Sequence, residues 1–276
     1  MLGAGGMLGH TLLRVFADTP GCYVRGKVRV EAALARLPKT LRPLVGVMGD
    51  LTRGGALRAA IDRARPDVIV NAVGALKHVA DPETMVAVNV LLPHRLARLA
   101  AARATRLIHI GTDCVFSGTR GGYAENDVAD ADDLYGRAKR LGEPSAPALT
   151  LRTSLIGPEL GAQRGLLGWF LEQTGPVPGY ARAVFSGLPT ITFAHLLRDH
   201  ILPRPELTGV WHVSAEPISK LELLSLIAAV WPHPVSIEPT DSPVVDRSLD
   251  SSRFRALTGW MPPSWPDLVA QMRAAA

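Results

Sequence analysis

A tyrosine and a lysine lie four residues apart in the segment Tyr135-Gly-Arg-Ala-Lys139. On a helix this spacing puts a phenol and an ammonium group on one face, one turn apart. A nearby cation stabilises a phenolate, lowers the pKa of the tyrosine and lets the phenol exchange a proton with a carbonyl or hydroxyl oxygen. The pair therefore predicts carbonyl–alcohol chemistry, although the same spacing also occurs on the solvated face of ordinary helices.

Two polar residues close apolar, strand-like segments. Thr112 ends the run RLIHIGT, and Asn71 ends the run PDVIVN. Because ligands of open parallel sheets bind at the carboxyl ends of strands, Thr112 is a candidate to hold the reacting oxygen beside Tyr135. The alternative is that Thr112 and Asp113 cap a turn. Asn71 either holds a loop over a cofactor or satisfies local backbone groups.

The chain opens MLGAGGMLGH, with glycines at the GxxGxxG spacing. In such a loop, backbone N–H groups approach a pyrophosphate at a helix N-terminus, and the third glycine lets the helix pack close to the sheet. Glycine triplets are also common in turns, so the alternating pattern that follows supports the interpretation. The candidate cofactor-binding residues here are Gly3, Gly6, Met7, Leu8 and Gly9.

The residues after the second strand of such a fold select the cofactor. A ribose 2′-hydroxyl group prefers an acidic residue there, whereas a 2′-phosphate prefers arginine. Arg29, with Lys27 as a second candidate, favours NADP(H) over NAD(H), while Glu31 nearby argues the other way.

Strand and helix patterns alternate through the first half of the chain. The run at 66–74 lacks polar alternation, which is typical of a parallel strand buried on both faces. Repeated strand–helix order predicts an α/β protein with a Rossmann-type, doubly wound parallel sheet. The predicted helices cover about 7–17, 54–64 and 82–104, and the predicted strands cover 22–28, 44–48, 66–74 and 106–116.

After residue 157 the pattern changes, because prolines and glycines interrupt short amphipathic segments. This predicts a smaller, loop-rich C-terminal lobe rather than a second sheet domain. The run GVWHVSA (209–215) predicts a strand that returns to the main sheet, and Ser219 is a predicted helix N-cap. We therefore expect a cofactor-binding core over 1–157, joined by 188–215, and a substrate-binding lobe over 158–187 and 216–276, with helices near 247–257 and 264–273.

Composition excludes several classes of protein. Hydrophobic residues make up 47% and charged residues 20%, and there is neither an apolar run of membrane-spanning length nor an export pattern at the start. The net charge of +5 is spread without a basic block, which argues against nucleic acid and suits phosphorylated small molecules. We expect a cytoplasmic protein whose cysteines, Cys22 and Cys114, are reduced packing residues.

No metal site is expected, because the histidines lack the spacing of metal ligands. The histidines considered are His78, His94, His195 and His212.

Seven motifs, in this order, resemble those of the extended short-chain dehydrogenases/reductases. More narrowly, the sequence is similar to the dTDP-4-dehydrorhamnose reductase family, whose members reduce the 4-keto group of nucleotide-linked deoxysugars. The similarity runs over nearly the whole chain. The motifs are GAGGMLG (3–9), GDL (49–51), NAVG (71–74), GTDCVFSG (111–118), YGRAK (135–139), LRTSLIG (151–157) and FSGLPT (185–190).

This resemblance implies a catalytic set of Thr112, Tyr135 and Lys139. NADPH would deliver hydride to the sugar C4, and Tyr135 would protonate the new alkoxide. Thr112 would position the carbonyl, and Lys139 would bind the nicotinamide ribose and tune the tyrosine.

The resemblance also implies further contacts, each with strand-end capping, core packing or solvated surface as the alternative. On the cofactor side they are Asp50 and Leu51 at the adenine, and Val73 and Gly74 at the adenosine ribose and phosphates. On the substrate side they are Thr112, Asp113, Tyr135, Thr153, Ser154 and Phe185, in segments that include Arg152 and Ser186. Arg164 and Arg182 are candidates for the diphosphate, and Trp169, Phe170, Tyr180 and Phe185 either stack on a base or fill the core.

The implied partner is a nucleotide sugar, with no membrane or nucleic acid, and a homodimer is left open as the assembly. Other functions share the fold and the catalytic residues. Within enzymes, the alternatives are a sugar-nucleotide epimerase or a UDP-N-acetyl-deoxyhexulose reductase. A non-catalytic, NADP-binding regulatory subunit is the alternative from another class, since the resemblance extends to the regulatory subunit of methionine adenosyltransferase.

Only Met1 and Leu2 precede the glycine loop, where a buried strand of about five residues is normal. Loss of that strand would leave backbone groups of both neighbouring strands unpaired, at a cost of about 1–3 kcal/mol each. Two interpretations follow. Either the chain is a shortened version of one that starts upstream, or the two residues form a vestigial strand and cofactor binding is weakened.

Overall fold

The computed structural model describes residues 1–52, 54–77, 79–161 and 163–276. Helices within these ranges are α1 (Met7–Ala17), α2 (Glu31–Arg36), α3 (Gly54–Ala64), α4 (Pro82–Val86), α5 (Leu92–Ala101), α6 (Leu134–Leu141), α7 (Leu166–Leu171), α8 (Thr190–Leu196), α9 (Lys220–Val230), α10 (Ser252–Thr258) and α11 (Trp265–Ala274). Strands are β1 (Gly26–Val28), β2 (Val45–Val47), β3 (Val68–Asn71), β4 (Arg106–Ile110), β5 (Leu149–Arg152), β6 (Leu155–Ile156), β7 (Val177–Tyr180), β8 (Ala183–Phe185), β9 (Leu188–Pro189), β10 (Gly209–His212), β11 (Ile218–Ser219), β12 (Ile237–Thr240) and β13 (Val245–Asp246). A π-helical turn, Ala87–Leu91, joins α4 to α5.

The main sheet is parallel throughout, and its strands follow one another outward in both directions from a switch point near Leu2. On one side lie β1 and β2, and on the other lie β3, β4, β5 and β10. Leu2 joins the two halves through parallel bridges to Lys27 and Asn71. The predicted fold class, a Rossmann-type doubly wound sheet, is confirmed, and the strand predicted over 209–215 pairs with β5.

Helix α1 covers one face of this sheet. Its apolar side chains recur every four residues at Leu8, Leu12 and Phe16, all of which are buried. They pack in one cluster with Val70 and Ile108 of the central strands. Such an apolar stripe on one face is what fixes a helix to a sheet, and here it sets the position of the glycine loop that precedes α1.

Met1 and Leu2 lie between β1 and β3, at one end of the place where a central strand would run. The Leu2 N–H group donates to the Val70 carbonyl (2.9 Å), and the Leu2 carbonyl accepts from the Ala72 N–H group (3.2 Å). On the other side, the Lys27 N–H group donates to the Met1 carbonyl (2.9 Å). Two residues therefore carry the pairing that joins the halves of the sheet.

A cavity of about 410 Å³ continues from Met1 between the two halves, and Ile61 and Val68 are among its apolar lining residues. The Met1 ammonium group donates to the Arg25 carbonyl at 2.7 Å. Burial, with a smaller contribution from Lys27, lowers the pKa of this amine from 8.0 to about 6. Protonation therefore costs folding free energy below pH 6, and this cost shrinks as the pH rises to 8.

We expect four apolar residues added before Met1 to stabilise the protein. A segment such as Val-Ile-Leu-Val would continue the register toward Val68, fill the cavity and remove the buried ammonium group, which destabilises the folded state by about 3 kcal/mol below pH 6. At pH 6 we expect Tm to rise by roughly 6–10 °C, because 1 kcal/mol shifts Tm by about 2–4 °C in chains of this size. Differential scanning calorimetry at pH 6 and pH 8 measures the effect, which should be larger at pH 6.

A Gly-Ser-Gly-Ser extension of equal length is the matched control, since it displaces the amine without filling the cavity. If both extensions raise Tm equally, or neither does, then the cavity does not accept a strand.

The C-terminal half contains more strand pairing than the sequence predicted. Strand β8 pairs with β11 and β13, β7 with β12, and β6 with β9. Each of these strands has two to four residues, too few for a period-two pattern to be visible in the sequence. None of the helices in the described ranges combines the length and apolar character that a bilayer crossing needs.

Candidate active site

Thr112 begins a short turn at the carboxyl end of β4. Its hydroxyl group accepts from the Cys114 N–H group (3.2 Å) and donates to the Asp113 carboxylate (3.2 Å). Both Thr112 and Asp113 are buried, each with 7% of its surface exposed. The turn-capping role that the sequence offered as the alternative is therefore present.

Helix α6 brings Tyr135 to this turn. The helix begins at Asp133, whose carboxylate accepts from the Gly136 N–H group at 3.0 Å. A Cβ atom at Gly136 would collide with the Cys114 carbonyl, so only glycine lets α6 pack this closely against the turn. Tyr135 therefore lies on a helix that packs directly against the turn capped by Thr112.

Burial raises the pKa of Tyr135 above its ordinary value, and Cys114 and Asp113 add to the increase, while the hydrogen bond from Thr112 opposes it. The Lys139 ammonium group donates to the Ile110 carbonyl at 2.8 Å, and its stabilisation of the Tyr135 phenolate stays a prediction. Tyr135 is therefore a neutral phenol at pH 7. That is the protonation state needed to donate a proton to a carbonyl oxygen.

Lys139 lies one turn along α6 and is 5% exposed. Burial lowers its pKa to about 8, whereas the nearby Glu143 carboxylate raises it. The ammonium group is therefore charged at pH 7, and it loses its proton as the pH rises through about 8.

The charge on Lys139 makes a testable pH dependence. Because the ammonium group favours negative charge on the neighbouring phenol, we expect kcat/KM for carbonyl reduction to fall as the pH rises through about 8. In the Lys139→Arg variant the guanidinium stays protonated, so this fall should disappear from the same pH range even if the absolute rate is lower. A kcat/KM profile from pH 6 to 10 measures both. An unchanged alkaline limb in the arginine variant would assign the titration to another group.

The glycine loop has the shape of a cradle for phosphate. Gly3 has a φ of +83°, and a Cβ atom there would come within 2.8 Å of the Ala72 carbonyl. A Cβ atom at Gly9 would collide with the Gly3 carbonyl. Gly6 is the N-cap of α1 and provides no side chain, so the first N–H groups of the helix, at Met7 and Leu8, face outward. These residues fit a pyrophosphate at a helix N-terminus.

The segment after β3 borders this cradle. The Asn71 amide donates to His109 Nδ1 (3.0 Å) and accepts from the Val73 N–H group (3.3 Å). The second contact satisfies a local backbone group, which was one of the two roles predicted for Asn71. Asn89, which the sequence analysis missed, is held by the π-helical turn and binds both backbone groups of Ala75 at 2.9 Å. Together these amides fix the backbone of the loop around Gly74.

The adenine-side candidates lie at strand ends. Asp50 is exposed and accepts from the N–H and hydroxyl groups of Thr52 (2.8 and 2.6 Å), which matches strand-end capping, while Leu51 packs partly against the core. Arg29 is exposed directly after β1, but the Lys27 ammonium group lies over Gly46 of β2.

The substrate-side candidates lie around β5, β6 and β8. Thr153 is buried and Ser154 half-buried, and the Ser154 carbonyl accepts from the Leu188 N–H group at 2.9 Å. Phe185 packs against Trp265, with ring centroids 5.8 Å apart. Arg152, which the resemblance placed in a segment facing the substrate, is instead 3% exposed and paired with Glu143, so it faces the interior.

Three further residues lie at the site and were missed or misassigned. Cys114, expected to be a packing residue, lies beside Asp113 and Tyr135, and burial raises its pKa to about 12, so it is a neutral thiol. Lys220 and Arg247 come from the C-terminal half and act electrostatically on the same turn. No spacing in the sequence connects them to it.

In the part of the chain that the structure describes, no group of three or more His, Cys, Asp or Glu residues could hold a metal ion. His78, one of the histidines considered above, lies outside the described residues.

A doubly wound parallel sheet with a glycine cradle at its switch point, and Thr112, Tyr135 and Lys139 at its carboxyl edge, defines an extended short-chain dehydrogenase/reductase. Residues 1–157 match the family described as the RmlD substrate binding domain. This is more than half of the chain, and the chain belongs to that family.

Curated relatives include both enzymes and a regulatory subunit. A dTDP-4-dehydrorhamnose reductase of Aggregatibacter actinomycetemcomitans is 28% identical over 237 residues, which cover 78% of this chain and 72% of that protein. The methionine adenosyltransferase 2 subunit beta of Bos taurus is 29% identical over 289 residues, covering 92% and 80%. The match spans about half the length of two ketoreductases from Streptomyces antibioticus and Streptomyces niveus.

Among solved structures, the chain is similar to dTDP-4-dehydrorhamnose reductase of Bacillus anthracis in complex with NADP. The TM-score is 0.79 at 18% identity, and the match covers 100% of this chain and 98% of that one. This likeness supports the fold.

Proposed function

We propose that the protein is an NADPH-dependent reductase of the 4-keto group of a nucleotide-activated 6-deoxysugar. The observation that carries the proposal is the close packing of α6, which carries Tyr135 and Lys139, on the turn capped by Thr112, at the same sheet edge as the glycine cradle. Family membership and the reductase named among the relatives support the choice of substrate class.

A nicotinamide cofactor bound at the glycine cradle would supply the hydride for the ketone carbon. The first N–H groups of α1 would hold its pyrophosphate, and the loop fixed by Asn71 and Asn89 would lie at its adenosine side. Thr112 donates a hydrogen bond to the ketone oxygen and orients it, and Tyr135 gives its phenolic proton to that oxygen. Lys139 then stabilises the phenolate.

The preference for NADP(H) is part of the proposal. Arg29 stands exposed at the carboxyl end of β1, where a 2′-phosphate lies in folds of this class, and a guanidinium binds phosphate in a bidentate manner. We further propose that residues 158–187 and 216–276 form the lobe that holds the sugar nucleotide. The setting would be synthesis of polysaccharide or natural-product sugars in the cytoplasm, where the two free thiols stay reduced.

The test is a panel of dTDP- and UDP-linked 4-keto-6-deoxyhexoses, assayed with NADPH and with NADH. We expect oxidation of NADPH with at least one of them, slower oxidation of NADH, and a product whose NMR spectrum shows a C4 alcohol. Absence of turnover with every sugar, in protein that binds NADPH, would reject the proposal.

A second function, a non-catalytic nucleotide-binding regulatory subunit, is favoured by one observation: the similarity to methionine adenosyltransferase 2 subunit beta extends over 92% of the chain. The assembled Thr112, Tyr135 and Lys139 favour catalysis instead. Affinity purification from the source cells separates the two, since stoichiometric recovery of an enzyme partner, without any turnover, would support the regulatory function.

A further inference from the structure

Two cations from the C-terminal half face the catalytic turn. Lys220 is the first residue of α9, and Arg247 directly follows β13. Neither belongs to the glycine cradle or to the Thr112, Tyr135 and Lys139 set.

The small sheet β11–β8–β13 explains how these two residues come together. Strand β8 pairs with β11 on one side and β13 on the other, so that Val184 is opposite both Ser219 and Asp246. Because β11 runs antiparallel to β8 and β13 runs parallel to it, Lys220 continues toward the position of Ala183 and Arg247 toward that of Phe185. The two residues therefore leave the sheet at opposite ends, two positions apart along β8, and the pairing brings them into the same small sheet despite their separation in sequence.

Arg247 is anchored to the loop that follows the catalytic turn. Its Nε–H group donates to the Phe116 carbonyl at 2.8 Å, and the Asp246 N–H group donates to the Gly118 carbonyl at 2.7 Å. Burial raises the pKa of Asp113. The Arg247 guanidinium group opposes this increase by stabilising the carboxylate. Arg247 thus lies close to Asp113 without pairing with it.

Lys220 is half-buried, and within the described ranges its ammonium group makes no hydrogen bond and no ion pair. Burial lowers its pKa, Asp113 and Cys114 raise it, and Arg247 lowers it. Asp113 and Cys114, on which Arg247 also acts, therefore lie within electrostatic range of the Lys220 ammonium group. A half-buried cation without an acceptor is costly unless a ligand supplies one.

The charges at this point favour an anion. Lys220 and Arg247 repel one another, and Asp113, a carboxylate that interacts with both, already accepts from Thr112. By contrast, the sequence candidates for a diphosphate, Arg164 and Arg182, are exposed side chains.

We infer that Lys220 and Arg247 bind the diphosphate of the sugar nucleotide. One phosphate of this diphosphate is attached to the sugar ring that the enzyme reduces. The inference rests on the proposed function. Two cations in range of Asp113, in the catalytic turn, would hold the diphosphate at one end of the sugar, and this contact would help to position C4. Charge-assisted hydrogen bonds to phosphate suit a guanidinium and an ammonium group together.

The experiment measures binding of dTDP and of UDP to the full chain by isothermal titration calorimetry, with thymidine as the ligand that lacks the diphosphate. We expect Lys220→Met and Arg247→Gln each to raise the Kd of whichever diphosphate binds by at least about tenfold, the loss expected for one charged hydrogen bond. Lys220→Arg and Arg247→Lys keep the charge and should stay within about threefold of wild type. Arg164→Gln and Arg182→Gln are the matched charge-removing controls and should bind as wild type does.

Two readouts separate a binding role from a structural one. The Kd of NADPH should match wild type in each variant, and KM for the sugar nucleotide should rise more than kcat falls. The Tm of Lys220→Met should match wild type, whereas Arg247→Gln should stay folded with a lower Tm because it loses the hydrogen bond to the Phe116 carbonyl. Wild-type affinity in folded Lys220→Met and Arg247→Gln, or loss of affinity in the Arg164 and Arg182 variants instead, would overturn the inference alone. Failure of the wild-type chain to bind either diphosphate would overturn the inference and the proposed function together.

Discussion

Tyr135→Phe should lower kcat about a thousandfold, within the range of 10²–10⁴ that general acid catalysis contributes. The substitution removes one oxygen atom, and with it the phenol that α6 brings to the turn capped by Thr112. Cofactor binding should be nearly unchanged, because the glycine cradle and the loop fixed by Asn71 do not involve the phenol. Steady-state kinetics and an NADPH titration measure the two quantities separately.

The matched control is Tyr23→Phe, the same chemical change at a side chain that is 98% exposed. It should leave kcat unaltered. If Tyr135→Phe keeps kcat within about threefold of wild type, then Tyr135 is not the proton donor.

Arg152→Met should be the most destabilising single substitution that we propose, with a loss of about 3–5 kcal/mol in the free energy of unfolding. The Arg152 guanidinium binds the Glu143 carboxylate through two hydrogen bonds of 2.7 and 2.9 Å, and both side chains are almost fully buried. Without the arginine, the carboxylate keeps only Arg140, half of whose side chain is exposed. Tm should fall by roughly 6–20 °C.

Thermal and urea unfolding measure this loss. The double variant Arg152→Met with Glu143→Leu leaves no unpaired buried charge, so it should recover part of the stability. Arg198→Met breaks an exposed pair with Asp199 and should cost less than about 1 kcal/mol. A loss that small for Arg152→Met would show that the buried pair does not hold β5 to the end of α6.

The same pair reaches the catalytic lysine. The Glu143 carboxylate raises the pKa of Lys139, so Glu143→Gln should lower that pKa further and move the alkaline fall of kcat/KM to lower pH. This links the buried ion pair to the chemistry without any contact to the substrate.

The main sheet was predictable because its information is local. Strands such as Val68–Asn71 are apolar on both faces, and helices such as Met7–Ala17 show one apolar stripe, so each segment identifies itself. Boundaries were less predictable. The strand expected over 106–116 ends at Ile110, because the Thr112 hydroxyl group caps a turn that only the folded backbone forms.

The C-terminal half was less predictable because its pairing is between distant, short segments. Val177 pairs with Ile237, and Ala183 pairs with Val245. The same is true of the site. Thr112 and Tyr135 lie on consecutive elements and could be connected from the sequence, whereas Lys220 and Arg247 reach the catalytic turn only through the small sheet.

Transfer of deuterium from labelled NADPH tests the central claim most directly. With NADPH that carries deuterium at the transferable position of the nicotinamide, the account predicts one deuterium at C4 of the sugar for each NADPH oxidised, and loss of this transfer in Tyr135→Phe. Oxidation of NADPH that leaves C4 a ketone, or a C4 alcohol formed without deuterium, would contradict it.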